Sequence, residues 1–323
     1  MSTTSQPTTF SELYTDLQNR VRITTSVSAT EVIAKRLINT ALINMHIGYA
    51  ERLPWCERRA TLITQPQYTT GTLTATKGST TITGSGTLWN TSNSFSVANM
   101  RAGGKIRING GSEVYEISSV STDTSATLTS SFTQTTVSAA TYVYFEDEYA
   151  LATDFLRPID LRQFSDPMNI ELIGRTEFRR LFPRNYITGR PSVATMVDLG
   201  FSGNTTPVRK VLFAKPPDIA YSIPYTYATS YLAVSAAGAA QTSLTANTDE
   251  PIVPLRYRHL IVLNALSEWY RDQKDDDRYV AAGQAFEQGM LRMVGDTEIG
   301  ESHPYLRPDV SGYAMRARRP YPR

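Results

Sequence analysis

Apolar positions recur with a helical period at both ends of the chain and with a period of two through the middle. Leu13, Leu17 and Val21 stand four apart behind a capping hydroxyl at Thr9 or Ser11, which predicts a short helix over residues 10–22. Ser28-Ala-Thr-Glu31 is a capping box, its hydroxyl and carboxylate each satisfying an orphaned N–H, and it opens a helix predicted over 28–53. That helix carries two apolar rows, Ile33, Leu37 and Ala41, then Ile38, Leu42 and Met45; Pro54 cannot continue it. The helical stripe returns at Ile261, Ala265, Leu266 and Trp269, within a helix predicted over 255–272. A last helix, 276–294, starts at a cap among Asp275–Asp277 and carries Tyr279, Phe286, Leu291 and Met293.

Almost nothing between these ends reads as helix. Residues 69–144 are crowded with Thr, Ser and Gly, and apolar residues alternate at Ile106 and Ile108, Val114 and Ile117, Leu128, Tyr142 and Tyr144. Alternation broken by Gly84-Ser85-Gly86, Gly103-Gly104 and Gly110-Gly111 predicts short antiparallel strands. Thr serves there as a β-branched residue facing water. Trp89, Phe95, Tyr115 and Phe132 are assigned to the core of this region. Further strands follow over 145–231. The runs Lys210–Asp218 and Tyr221–Tyr227, joined through Pro216-Pro217-Asp218, are expected to pair as a hairpin.

Two end segments that each expose an apolar stripe should pack on one another. The expected fold is therefore α+β: a discontinuous helical bundle from the N- and C-terminal helices, a β platform, and an inserted small antiparallel β barrel or sandwich. The domain reading is a body of residues 1–66 and 145–300 (helices 10–22, 28–53, 255–272 and 276–294, platform 145–231), an insert of 67–144, and an extended arm of 301–323.

Composition narrows the function. The chain has 323 residues, 41% hydrophobic and 19% charged, with a formal net charge of +2, so no global field draws it to nucleic acid or membrane. The single cysteine, Cys56, excludes an internal disulfide framework and fits folding in a reducing cytoplasm. The first residues have neither a basic nor an apolar signal region, and no run approaches the roughly 20 apolar residues of a spanning helix.

No catalytic, cofactor or metal constellation emerges. His46, His259 and His303 lie far apart without partners at ligand spacing. Cys56 has no histidine near it in sequence and reads as a buried thiol. Asp272, Asp275, Asp276 and Asp277 lack the spacing of a calcium loop and suit a helix start. Glu146, Asp147 and Glu148 read as a solvated edge, and Gly78–Gly86 has no helix after it to cradle phosphate. The sequons at Asn90 and Asn204 carry no weight without a secretion signal. The arm is the one binding candidate: Tyr305, Arg307, Tyr313, Arg316, Arg318, Arg319, Tyr321 and Arg323 supply aromatic and cationic anchors for a partner protein.

Three stretches carry a resemblance. Tyr149–Arg162 (YALATDFLRPIDLR), Val211–Tyr227 and Asp249–Leu266, in that order, resemble head-to-tail adaptor (connector) proteins of tailed bacteriophages. Gly71-Thr-Leu, Gly84-Ser-Gly-Thr-Leu-Trp89 and Ser119–Leu128 are similar to a small β module inserted in phage structural proteins. The insert and the long arm depart from the plainest adaptors. The resemblance implies a structural virion protein that does no chemistry, assembled in the host cytoplasm and placed at the head–tail junction. It implies a homo-oligomeric ring of roughly twelve copies, a portal protein held by the arm, a tail or nozzle protein met by the β parts, and genomic DNA passing through the lumen without specific binding. A near-neutral chain suits such a conduit, because each phosphate neutralised would retain DNA. The rival readings are a tail-spike or fibre component holding glycans on the Thr/Ser-rich domain, and a hydrolase lacking the carboxylate or nucleophile pair it would need.

Overall fold

The computed structural model describes residues 6–22, 28–50, 53–160, 170–183, 187–202 and 206–297. Those residues form a mixed α+β protein with five α-helices. They are α1 (Phe10–Arg20), α2 (Ser28–Tyr49), α3 (Arg175–Leu181), α4 (His259–Asp272) and α5 (Asp276–Thr297). The first strands are β1 (Glu57–Ile63), β2 (Thr72–Ala75), β3 (Thr81–Ser85), β4 (Lys105–Ile108), β5 (Tyr115–Thr122), β6 (Ser125–Leu128), β7 (Val137–Ala140) and β8 (Tyr142–Phe145). After them come β9 (Glu148–Ala150), β10 (Phe155–Asp160), β11 (Glu171–Leu172), β12 (Val193–Ser202), β13 (Thr206–Phe213) and β14 (Ser222–Thr229). Three short strands, β15 (Ala233–Val234), β16 (Ala240–Gln241) and β17 (Glu250–Pro251), precede α4. The chain divides into two compact units, Met1–Glu57 with Ala228–Arg323, and Arg58–Tyr227.

In the first unit, both chain ends contribute to one core. Phe10, Leu13 and Leu17 of α1 and Ile38, Leu42 and Met45 of α2 are buried with Ile261 and Ala265 of α4 and Met290 and Met293 of α5. Each of these side chains but Ala265 contributes roughly 1.5–3 kcal/mol by leaving water. Thr9 is the N-cap of α1, accepting from Glu12 N at 3.4 Å, and Glu12 accepts in turn from Thr8 N at 2.7 Å. Polar staples fix the register of the distant segments. Phe10 N donates to Asp249 O at 2.8 Å, and Asn39 and Leu244 exchange two hydrogen bonds of 3.0 and 2.9 Å. The buried Arg258 guanidinium donates to Val253 O at 3.0 Å, Pro251 O at 3.1 Å and Thr8 O, and pairs with Glu250.

The apolar rows are only partly core. Ile33 on α2 is exposed, as are Tyr279 and Leu291 on α5, where Ala282, Met290, Met293 and Val294 are buried instead. The predicted 28–53 helix ends at Tyr49, and α5 continues to Thr297. Ser28 opens α2, and its side chain lies outside the described set; Glu31 pairs with Lys35 at 2.7 Å.

The second unit holds two cores. A seven-stranded antiparallel sheet, order β7-β2-β3-β6-β5-β4-β8, curls into a half-barrel around Trp89, Phe132, Tyr144 and Ile82. Its two outermost strands are separated in sequence by Thr141 alone, so the sheet must bend to bring its ends together. Tyr68 and Tyr144 exchange backbone hydrogen bonds of 2.9 Å each, tying the entry of this region to its exit. Gly71 (φ 81°) and Gly104 are required here. A Cβ on Gly71 would lie 2.6 Å from Ser85 O, and one on Gly104 would lie 2.1 Å from the Tyr144 hydroxyl. Trp89 Nε1 donates to Tyr142 Oη at 2.9 Å. Phe95 does not join this core; it is 42% exposed.

The remaining sheets, β11-β12-β13-β9 and β1-β14-β10, share a core of Tyr149, Phe155, Phe213, Ile223, Tyr225 and Tyr227. The expected hairpin of 210–218 with 221–227 does not form. Strand β13 is bonded to β12 and β9, leaving no free edge, while β14 lies between β1 and β10 in another sheet. Pro216 and Pro217 lack ladder donors, and they carry the chain from one sheet to the next. The hairpin is β12 with β13. Helix α3 is a further departure from an all-β middle; Phe178 anchors it to the interior.

Candidate functional site

The sequence-predicted arm, Tyr305, Arg307, Tyr313, Arg316, Arg318, Arg319, Tyr321 and Arg323, lies outside the described residues, as do His303 and Asn204. His46 is buried and meets Thr229 O through Nε2 at 2.6 Å and Cys56 Sγ through Nδ1 at 3.5 Å. A carbonyl only accepts, so Nε2 carries the hydrogen and Nδ1 accepts from the thiol. Sequence distance concealed this pair, ten residues apart along the chain. Cys56 is a buried free thiol, as expected, but it does have a histidine beside it. Asp275 caps α5, accepting from Arg278 N at 3.3 Å, with Asp276 and Asp277 exposed in the first turn. Among the described residues, no group of three His, Cys, Asp or Glu side chains is placed to hold a metal, and no helix is long and apolar enough to cross a membrane.

The acidic run at 146–148 is not a solvated edge. Glu146 is buried, and its carboxylate accepts from Arg101 Nε at 2.9 Å, from Arg101 Nη2 and from the Tyr144 hydroxyl. Tyr149 Oη accepts from Gln65 N at 3.0 Å beside the same group. Lys105 Nζ lies 2.9 Å from Glu148 Oε1 and 2.7 Å from Asp147 Oδ1. The Asp147 contact is charge against charge, for Oδ1 is outside hydrogen-bond alignment. Lys210 Nζ approaches Glu148 at 3.7 Å. Burial raises the Asp147 carboxyl above its ordinary range, against the pull of Lys105. Burial alone would lower Lys105, but Asp147 and Glu148 outweigh it and hold the ammonium above its ordinary value. Burial also drives the Tyr144 and Tyr149 phenols well above theirs. The pattern of Glu146-Asp-Glu148 resembled a surface run because its cationic partners, Arg101 and Lys105, stand more than forty residues earlier.

A cleft of about 950 Å³ opens beside this network, lined among others by Lys105, Tyr115, Asp147, Phe178, Arg179 and Phe182. Neither Cys56 nor His46 nor His259 lines it. Three of its lining carboxylates are engaged: Lys105 holds Asp147 and Glu148, and Glu113 accepts from the Tyr115 and Thr133 hydroxyls. Glu113 is thereby held below the ordinary carboxylate range, by Thr133 first. The arrangement supplies charge pairing and apolar walls.

The other exposed feature is apolar. Val32, Ile43 and Ile47 lie along the outer side of α2, and Val280 and Leu291 along that of α5. Periodicity alone concealed these faces, because Val and Ile on a helix read as core. No protein-family model matches this chain, and no curated protein matches its sequence.

Proposed function

We propose that the protein is a structural virion component, a head-to-tail adaptor whose ring joins the portal to the tail and forms part of the DNA channel. In this reading the four helices at the chain ends are a discontinuous bundle that makes the ring body, the strands over 145–231 are a platform, and 67–144 is an inserted domain. The observation that carries it is the shared core of the first unit: residues from 10–56 and 232–294 bury one another, so the β-rich middle is an excursion from a single helical body. That organisation suits a spacer with joining surfaces. The resemblance of Tyr149–Arg162, Val211–Tyr227 and Asp249–Leu266 to phage adaptors supplies the class of partner.

Native mass measurement of the protein, alone and mixed with portal rings, tests this. Rings and a portal complex are expected. A chain that neither oligomerises nor binds portal overturns the reading. Removal of residues 301–323 should abolish portal capture and leave the fold intact; unchanged capture removes the arm from the interface.

The cleft favours a second reading, a tail-spike or fibre-type component that binds glycans. Hydroxyls, carboxylates and the half-exposed Phe182 line it, which are the groups a sugar needs. Binding of host-surface oligosaccharide that Phe182→Ala removes would select that reading.

A further inference from the structure

The uncovered faces of α2 and α5 match one another. On α2, Val32, Arg36, Ile43 and Ile47 fall within about 60° of helical arc at 100° per residue, opposite the buried row of Ile38, Ala41 and Met45. Val32 is 66% exposed, Ile43 39% and Ile47 53%. On α5, Val280 (49% exposed), Gln284, Glu287 and Leu291 (68% exposed) form a stripe equally narrow. Each stripe holds one charge, of opposite sign: Arg36 on α2 and Glu287 on α5. Neither has an ion-pair partner among the described residues.

The spacing makes the match specific. Along α2 the order is apolar, cation four residues on, apolar seven further; read backwards along α5 it is apolar, anion four residues back, apolar seven further. An antiparallel pairing therefore sets Val32 against Leu291, Arg36 against Glu287 and Ile43 against Val280. The matched stretch runs about 16 Å at 1.5 Å per residue. Helix α4 packs on both α2 and α5, so the two stripes are separate patches on one subunit. Complementary but non-identical patches make a heterologous contact, which propagates from copy to copy and closes into a ring when the rotation permits.

We infer that the outer face of α2 on one copy docks antiparallel on the outer face of α5 of the next, with Arg36 paired to Glu287 across the contact. This assigns a surface to the ring proposed above and rests on that reading. The test is sedimentation of the full chain over a concentration series. The wild type should associate. Arg36→Glu and Glu287→Arg, each at an exposed site that leaves the folded spectrum unchanged, should each weaken association by roughly tenfold to a hundredfold. An equimolar mixture of the two variants should associate again, because alternating copies restore opposite charges at every contact.

Variants that assemble as the wild type does, or a mixture that fails to recover, overturn the pairing and leave the neck reading standing. A wild type that stays monomeric at every concentration overturns it too, and portal capture then judges the neck reading separately. If the variants still form rings but lose portal capture, the faces belong to the portal and self-association through them is wrong.

Discussion

The helical core and the half-barrel core are both filled by large buried side chains, yet the chain closes them in opposite ways. In the helical core, the polar staples join residues up to 250 positions apart, as where Arg258 meets Thr8 O. In the half-barrel, the buried residues all fall between Leu73 and Tyr144. Loop-closure entropy must be met before distant contacts stabilise anything, so local closure favours early, independent folding and distant closure favours late folding. The half-barrel can form while the C-terminal helices are still being made; the helical core cannot. A region that performs only after both ends are present is a sound place for contacts that should not form prematurely.

The largest effect should come from Trp89→Ala, which empties the centre of the half-barrel and deletes the donor to Tyr142. The expected cost is roughly 3–5 kcal/mol, with amide exchange accelerated over 72–145 and unchanged in α1, α2, α4 and α5. Equal loss in the helices would show the two cores to be one cooperative system.

Arg258→Met is the mirror test. It leaves three carbonyls without their donor, for a cost of about 3 kcal/mol, seen as exchange in α1 and α4 while the half-barrel keeps its protection. A neutral result would mean that the staple guides register without holding it.

Alkaline titration probes the half-barrel by its buried phenols. Burial pushes the Tyr142 phenol from 10.0 up to about 12, and burial also holds Tyr144 well above its ordinary value. The folded half-barrel prefers the neutral phenols, so their contribution is whole below pH 10 and is lost as pH rises through 10 toward 12. Tyrosinate absorbance with near-ultraviolet circular dichroism should show half-barrel packing failing in that window. Early ionisation without loss of packing would contradict the burial. Ile38→Val, one methylene from the helical core, should cost about 0.5–1.5 kcal/mol by denaturant unfolding; a larger loss would mean that the bundle tolerates no repacking.

Much of this was legible in the pattern of residues. Strong periodicity located α1, α2, α4 and α5, because Leu13, Ile38 and Ile261 have no other way to leave water. The alternating Thr-rich stretch announced strands, because turn glycines punctuate it. Legibility failed where a partner lies far along the chain. Lys210–Asp218 and Tyr221–Tyr227 seemed a hairpin because local turn chemistry cannot reveal that β13 has both edges occupied. Glu146 seemed solvated because Arg101 is invisible to a local reading. Ile33 stands in an apolar row yet is exposed, because hydrophobicity identifies what seeks cover, not where cover is found.

The bridge between Tyr68 and Tyr144 has a consequence at the level of the gene. Residues that exchange paired backbone hydrogen bonds across antiparallel strands hold their Cα atoms about 5.5 Å apart, within reach of a two- or three-residue turn. An in-frame excision of the DNA between those codons would thus leave two ends already aligned for rejoining. The same geometry would receive a different cassette in its place. Recombination at this one pair of positions would exchange the segment between them while the reading frame on either side continues to encode the same neighbours.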